Sequence, residues 1–214
     1  MTITYDSEHA VVSEERTLSA FTVGEHTSMP LTVPYLLYED FSNCQNFEGP
    51  EEAGDASGNE LSSANLPGWY AGARSEGVAG LCVALHSYSN VGGPYQSRVD
   101  SRSLSELKAG STVTVRIIFN ADWKKNKSES MQLVVGRTSG HNLNSSINDQ
   151  TAIPMANQSS ASASYIPTER QVEVPNFTSD QSIAWKTDGS NASLWNYFNY
   201  EDIFIDNVKV SIIQ

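Results

Sequence analysis

Apolar and polar residues alternate with a period of two between Thr112 and Phe119, and this pattern constrains the fold of the chain most strongly. The odd-numbered residues of the segment are apolar and share one face, while Thr112, Thr114 and Arg116 share the other. Such alternation predicts a half-buried β-strand. Shorter strand-like runs, separated by segments rich in Gly, Ser, Asn and Pro, occur at Leu36–Phe41, Leu81–Leu85, Met131–Val135, Gln171–Val174 and Ile203–Ile213.

Long helical periodicity is absent from the sequence. Leu104–Lys108 could form one helical turn, and His9–Phe21 is compatible with either a helix or a strand. Many short strands joined by polar connections favour a sandwich or jelly roll over alternating strands and helices. The predicted fold class is therefore an all-β, antiparallel β-sandwich of jelly-roll type.

Chain length and proline positions predict one main domain preceded by an arm. With 214 residues the chain can enclose a sizeable core, and all-β sandwiches use that length without dividing. Pro30 and Pro34 bracket a break, so residues 1–33 are predicted to be an N-terminal arm or added strand and residues 34–214 the jelly-roll domain. Two stretches poor in large apolar residues are predicted to be long surface loops, Gly49–Ala64 and Gly140–Ser164.

The chain is acidic, with 25 Asp and Glu against 13 Lys and Arg and a formal charge of −12. Its field should repel nucleic-acid phosphates and anionic lipids, whereas neutral polar ligands and divalent cations are compatible with it. No apolar run approaches the roughly 20 residues that cross a bilayer. The first residues lack a basic segment followed by an apolar stretch, so if the protein is exported, its leader is expected to have been removed.

No catalytic motif stands out in the sequence. The four histidines lie far apart without a His-Glu-x-x-His pair, and Gly136–Gly140 misses a Gly-x-Ser-x-Gly elbow by one position. Adjacent acids occur at Glu39-Asp40 and Glu201-Asp202, but neighbours on a strand point to opposite faces. Enzymatic activity is therefore not the leading expectation.

Cys44 and Cys82 are the only cysteines, which is too few for a disulfide scaffold. Either they pair, which would close a loop of nearly forty residues and contribute roughly 4 kcal/mol, or they remain two buried thiols. The sequence leaves both readings open.

Aromatic residues that lie beside Gly, Asn or Asp are the more informative set. Exposed rings can stack on the apolar face of a sugar, while Asn, Asp and Arg side chains hydrogen-bond to its hydroxyls. The alternative is that such rings cap the open ends of the sandwich core. Trp123, which follows a strong strand, and Trp195 with Tyr197, in a segment rich in Ser and Asn, are the best candidates for exposure. The predicted ligand-binding set also contains Trp69, Tyr95 and Arg98.

The C-terminal strand contains an anomaly at Asp206. Val208 and Val210 fall on one face, and strict alternation places Phe204 and Asp206 on that face too. A buried carboxylate needs compensation. Either a bulge near Asp206-Asn207 turns it outward, or it joins a hydrogen-bond network, or it binds a cation, for which calcium is the natural candidate.

Several short segments occur in an order that points to a known family: Tyr38–Phe41, Leu66–Trp69, Gly80–His86, Tyr95–Arg98 leading to Leu104, Gly110–Phe119 and Ile205–Val210. Over roughly Tyr35 to Ile213 the chain resembles the galactose-binding-like jelly rolls of carbohydrate-binding modules and of surface proteins of Gram-negative gut bacteria. The resemblance implies a structural calcium held by an acid of the opening strand, Glu39 or Asp40, together with Asp206. It transfers no aromatic residue, because sugar sites in such folds vary between the sheet face and the loop tips.

The resulting expectation is a non-catalytic glycan-binding module of a secreted or cell-surface protein. A structural or adhesive surface domain without affinity for sugars is the first alternative. A β-sandwich glycan hydrolase or lyase is the second.

Overall fold

β-Strands make up most of the described part of the chain. The computed structural model describes residues 2–6, 9–15, 35–49, 58–72, 75–78, 80, 82–90, 93–124, 132–142, 144–154, 168–188 and 200–213. In chain order its strands are β1 (Thr2–Asp6), β2 (Val11–Glu15), β3 (Leu37–Glu39), β4 (Phe47–Glu48), β5 (Asn59–Leu61), β6 (Leu66–Ala71), β7 (Ser75–Val78), β8 (Cys82–Asn90), β9 (Gly93–Tyr95), β10 (Arg98–Asp100), β11 (Val113–Lys124), β12 (Gln132–Thr138), β13 (Asn148–Pro154), β14 (Thr168–Phe177), β15 (Ser182–Asp188) and β16 (Tyr200–Ile212).

Two antiparallel sheets form the sandwich, which confirms the predicted fold class. The six-stranded sheet has the order β13-β12-β15-β10-β6-β5, and the eight-stranded sheet has the order β14-β11-β16-β8-β7-β4. β3 also pairs with β16, and β9 pairs with β8. Within the described residues the only helical element is a 3₁₀ turn at Ser62–Ala64. That part of the chain has no helix long and apolar enough to span a membrane.

The core lies between the inward faces of the two sheets. On β11 the odd-numbered residues from Val113 to Ala121 are buried, as their alternation predicts. Trp69 of β6 stacks on Trp185 of β15, with ring centroids 5.9 Å apart, and Phe41 and Phe119 pack edge-on against this pair. At about 25 cal/mol per Å² of buried apolar surface, each large ring contributes roughly 4–6 kcal/mol to the core.

Strands also occur where the sequence predicted loops. β13 lies within Gly140–Ser164, and β5 lies within Gly49–Ala64, so neither stretch is entirely loop. β13 is exposed along most of its length, because it is the edge strand of its sheet. Backbone pairing with β12 holds β13 in the sheet. Its sequence lacks the apolar alternation that would have predicted a strand.

The N-terminal segment touches the sandwich where the structure describes it. β1 and β2 form a separate two-stranded sheet. Ala10 bridges to Leu107, and Lys108 donates its backbone N–H to the carbonyl of His9 at 2.9 Å. Leu104–Lys108 forms a hydrogen-bonded turn and this bridge rather than a helical turn. The boundary predicted at residue 33 lies outside the described residues.

Both cysteines are buried and neither forms a disulfide, so the structure decides against a bridge between Cys44 and Cys82. The Cys44 thiol donates to the carbonyl of Gln45 at 3.1 Å. Burial, together with the carboxylate of Glu39, raises the pKa of this thiol to about 11.

Candidate functional site

β16 contains a bulge at the residues where its alternation is anomalous. Ile118 lies opposite Lys209, but Asn120 lies opposite Asp206, so β16 has one residue more than β11 between these pairs. Asn207 has a φ of 51°, in the left-handed region that Asn tolerates better than most residues. The bulge lies where the neighbour of β16 changes from β8 to β3.

The bulge changes which residues of β16 face the core. Before it, Ile203 and Ile205 are buried, and after it, Val208 and Val210 are buried. Asp206 therefore belongs to the face that points away from the core. The structure thus contains a bulge, which is the first of the three explanations for the position of Asp206.

Asp206 is nevertheless largely shielded from water, with a relative exposure of 9%. Its Oδ1 accepts the backbone N–H of Asn207 at 2.7 Å, and its Oδ2 accepts the side-chain Nδ2 of Asn207 at 2.8 Å. Burial raises the pKa of Asp206 and the charge of Asp40 adds to this, while the Asn207 hydrogen bonds oppose it. The Asp206 carboxylate is thus hydrogen-bonded, but burial and the charge of Asp40 still disfavour its ionised form.

Glu39 and Asp40 lie near Asp206, because Glu39 pairs with Val208 across β3 and β16. The Glu39 Oε1 accepts the N–H of Phe41 at 2.9 Å, and burial raises the pKa of Glu39. Among the described residues no group of three or more His, Cys, Asp or Glu is placed to hold a metal ion. A calcium ion here would need further oxygen ligands, such as backbone carbonyls.

The structure corrects the ligand-binding prediction for Trp69. Its relative exposure is 2%, and it packs against Phe41 and Trp185 in the core. The ring therefore presents no free face to a sugar. In the sequence its neighbour Gly68 suggested an exposed turn, but Gly68 adopts a positive φ of 75° within β6, and Trp69 then points inward.

Arg98 is also corrected, because it is fully buried and all its contacts are internal. Its Nε donates to Asp100 Oδ1 at 2.7 Å, and its guanidinium also binds Asp100 Oδ2, Thr138 Oγ1 and the carbonyls of Gly140 and Ser145. Arg98 and Asp100 lie on the face of the six-stranded sheet that points away from the core, beneath the segment that follows β12. Arg98 therefore anchors that segment to the sheet.

The same network reaches His141 and Tyr70. The Nδ1 of His141 lies 3.2 Å from Asp100 Oδ2, and its ring stacks on Tyr70 with centroids 3.7 Å apart. Gly58 donates its N–H to the carbonyl of His141 at 3.1 Å. These contacts attach the segment after β12 to the sheet at a second point. The stacked rings of His141 and Tyr70 therefore have a structural role.

Two of the remaining predicted binding residues, Trp123 and Tyr95, have backbone positions near one end of the eight-stranded sheet. Trp123 of β11 pairs with Ile203 of β16. Tyr200 of β16 pairs with Tyr88 of β8, which is the neighbour of β16 on the side away from β11. Tyr88 in turn pairs with Tyr95 of β9. Four adjacent strands therefore carry aromatic residues near the same sheet end, which we call the aromatic end. With strands about 4.8 Å apart, these backbone positions span about 15 Å.

Trp195 and Tyr197 belong to the segment that joins two strands at this end. β15 ends at Asp188 and β16 begins at Tyr200, so segment 189–199 leads directly into the aromatic end of β16. Segments 125–131 and 155–167 join strands at the same end. Trp195 and Tyr197 lie outside the described residues, as do the side chains of Trp123 and Tyr95, so the binding role of these four residues stays a prediction.

Two exposed aromatic side chains were not predicted to bind ligand. Tyr35 and Tyr38 are 42% and 54% exposed, and their rings stack with centroids 6.2 Å apart and an angle of 24° between planes. The signal was present in the sequence, because alternation that places Leu37 in the core turns Tyr38 outward. Tyr38 pairs across the strands with Lys209, and its hydroxyl lies 3.5 Å from Asp40 Oδ2.

Comparison with known proteins finds similarity only among solved structures. No protein-family model and no curated protein matches the chain. The K3 cleaved adhesin domain of Lys-gingipain from Porphyromonas gingivalis W83 is 18% identical, with a TM-score of 0.41, over 83% of this chain and 99% of that domain. The CBM22-1 xylan-binding domain of Xyn10C from Paenibacillus barcinonensis is 11% identical, with a TM-score of 0.43, over 85% and 96%.

A third similar structure is TmCBM61 in complex with β-1,4-galactotriose, which is 9% identical, with a TM-score of 0.33, over 82% of this chain and 92% of that module. Solved structures similar to this chain thus include carbohydrate-binding modules and adhesin domains. The identities and TM-scores are low, so these similarities do not specify a ligand.

Proposed function

We propose that this chain is a non-catalytic glycan-binding domain of an exported or cell-surface protein, and that its principal ligand site is the aromatic end. The observation that carries the proposal is the backbone register that brings Trp123, Tyr88, Tyr95 and Tyr200 to one end of four adjacent strands. The segment that contains Trp195 and Tyr197 leads directly into the same end of β16. Aromatic residues near one end of a sheet offer rings on which a sugar can stack.

The charge of the protein favours a neutral glycan. A formal charge of −12 repels uronic acids and sulfated sugars over distances of about 10 Å at moderate salt. Neutral polysaccharides do not experience this repulsion, and their hydroxyls can hydrogen-bond to Asp, Asn and Lys side chains. We therefore expect binding to neutral polysaccharides in preference to acidic ones.

Affinity gel electrophoresis tests the proposal with a panel of soluble β-glucan, xylan, β-1,4-galactan and mannan, and with polygalacturonate as the acidic control. We expect retardation by at least one neutral polysaccharide. Trp123→Ala and Trp195→Ala should each weaken that binding by about three- to tenfold, which corresponds to roughly 0.5–1.5 kcal/mol per stacked ring. Trp123→Phe is the matched control, since it keeps an aromatic ring.

Two results would count against this function. If the wild-type protein is not retarded by any polysaccharide of the panel, the domain is better regarded as structural or adhesive. If a neutral polysaccharide binds but both Trp→Ala variants bind it equally well, the aromatic end is not the principal site.

We also propose a structural calcium beside β3 and β16, with Asp206 and Glu39 or Asp40 among its ligands. Support comes from the charge balance, because burial and the charge of Asp40 raise the pKa of Asp206. A bound divalent cation would relieve that repulsion. Such an ion would link β3 to β16.

A further inference from the structure

Tyr35 and Tyr38 form an exposed aromatic surface on the outer side of the eight-stranded sheet, which we call the tyrosine platform. Together with Val11, they are the exposed large hydrophobic residues of the described part of the chain. Their rings are close to parallel, at 24°, so together they offer an extended flat surface. Each residue leaves about half of its surface to solvent.

Polar groups of both signs surround the platform. Lys209 lies directly across from Tyr38 on β16. The Asp40 carboxylate is close to the Tyr38 hydroxyl, with 3.5 Å between Oη and Oδ2, and accepts the N–H of Ser42 through Oδ1 at 3.0 Å. An exposed aromatic ring with a carboxylate acceptor at its edge and a lysine across the strand pair is suited to the apolar face and the hydroxyls of a pyranose.

A partner protein fits this surface less well than a sugar. A stable protein interface buries about 800 Å² on each partner around an apolar centre depleted of charge. The platform consists of two rings, and Asp40 and Lys209 stand at its edge. The Asp40 carboxylate beside the Tyr38 hydroxyl also disfavours an acidic sugar, because like charges repel.

We propose that the tyrosine platform is a second carbohydrate-binding surface, which takes the ring face of a neutral pyranose. It lies apart from the aromatic end, because Lys209 follows Ile203 by six residues along β16, or about 20 Å at 3.3 Å per residue. The inference rests on the proposed function for the class of ligand. It does not rest on the aromatic end, because the platform consists of different residues. Two sites so spaced would bind a long polysaccharide more tightly than a short oligosaccharide, because the second contact is intramolecular.

The test measures affinity for a neutral polysaccharide that retards the wild-type protein. Tyr35→Ala/Tyr38→Ala should weaken binding to that long polymer by about tenfold or more, at about three- to tenfold per ring. Tyr35→Phe/Tyr38→Phe keeps both rings and should stay within about threefold of the wild type. Val11→Ala removes exposed apolar surface elsewhere and should have no effect. Thermal melting of each variant verifies that it is folded.

A second measurement locates the contact. On titration with a trisaccharide of the same polymer, the backbone amide signals of Tyr38 and Lys209 should shift in the Trp123→Ala/Trp195→Ala variant as they do in the wild type. The inference is overturned if the Tyr→Ala variant binds like the wild type, or if these amides do not respond while the aromatic end does. If the wild type binds no polysaccharide at all, the proposed function fails as well.

Discussion

Replacement of Arg98 should destabilise the fold far more than replacement of any exposed arginine. Arg98 and Asp100 have side-chain exposures of 0% and 1%, and their Nε–Oδ1 distance is 2.7 Å. Arg98→Ala would leave the Asp100 carboxylate buried without its cation, and would remove the donors that bind Thr138 Oγ1 and the carbonyls of Gly140 and Ser145. Loss of one partner of a buried pair costs about 3–5 kcal/mol, a large share of the 5–15 kcal/mol typical of a domain.

Urea unfolding at pH 7 measures this change, and Arg116→Ala is the matched control. Arg116 pairs with Glu173 at 3.0 Å, but the two side chains are 41% and 49% exposed. Water screens such a pair, so its loss should cost at most about 1 kcal/mol. Hydrogen exchange should also become faster in the segment after β12 in Arg98→Ala, since that segment loses its anchor.

Two outcomes would refute the reasoning. The first is an Arg98→Ala variant whose free energy of unfolding falls no more than that of Arg116→Ala. The second is a double variant, Arg98→Met/Asp100→Asn, whose loss equals the sum of the two single losses. A coupled buried pair should instead make the double variant less costly than that sum, because no uncompensated charge remains.

Two further predictions concern the thiols and the calcium. The pKa of Cys44 is raised to about 11 from 9.0, and both cysteines are buried. Neither thiol should therefore react with a disulfide reagent at pH 8 in the folded protein, whereas both should react in urea. Rapid labelling of the native protein would contradict this. The raised pKa favours the protonated thiol in the folded state, so the contribution of Cys44 to stability should decline as the pH rises from about 9 toward 11. Calcium should raise the melting temperature and EDTA should lower it, with a smaller difference in Asp206→Asn; an unchanged melting temperature would remove the calcium proposal.

Alternation in the sequence was sufficient to predict the strands that bury one face. The odd-numbered residues of β11 are in the core because a strand turns every second side chain the same way, whatever its neighbours are. The placement of Asp206 on the same face as Val208 and Val210 likewise pointed to an anomaly at Asp206 before any pairing was known. Local order of this kind depends only on residues that are adjacent in the chain.

Only the tertiary structure decided which side chains are covered by distant parts of the chain. Trp69 and Arg98 occur beside turn-forming and polar residues, yet one packs on Trp185 and the other binds Ser145, partners far away in sequence. The bulge at Asp206 depends similarly on the pairing of β16 with β3, β8 and β11. A side chain is buried because other parts of the chain pack against it. Long-range strand pairing decides which parts these are, and a local sequence pattern does not contain that information.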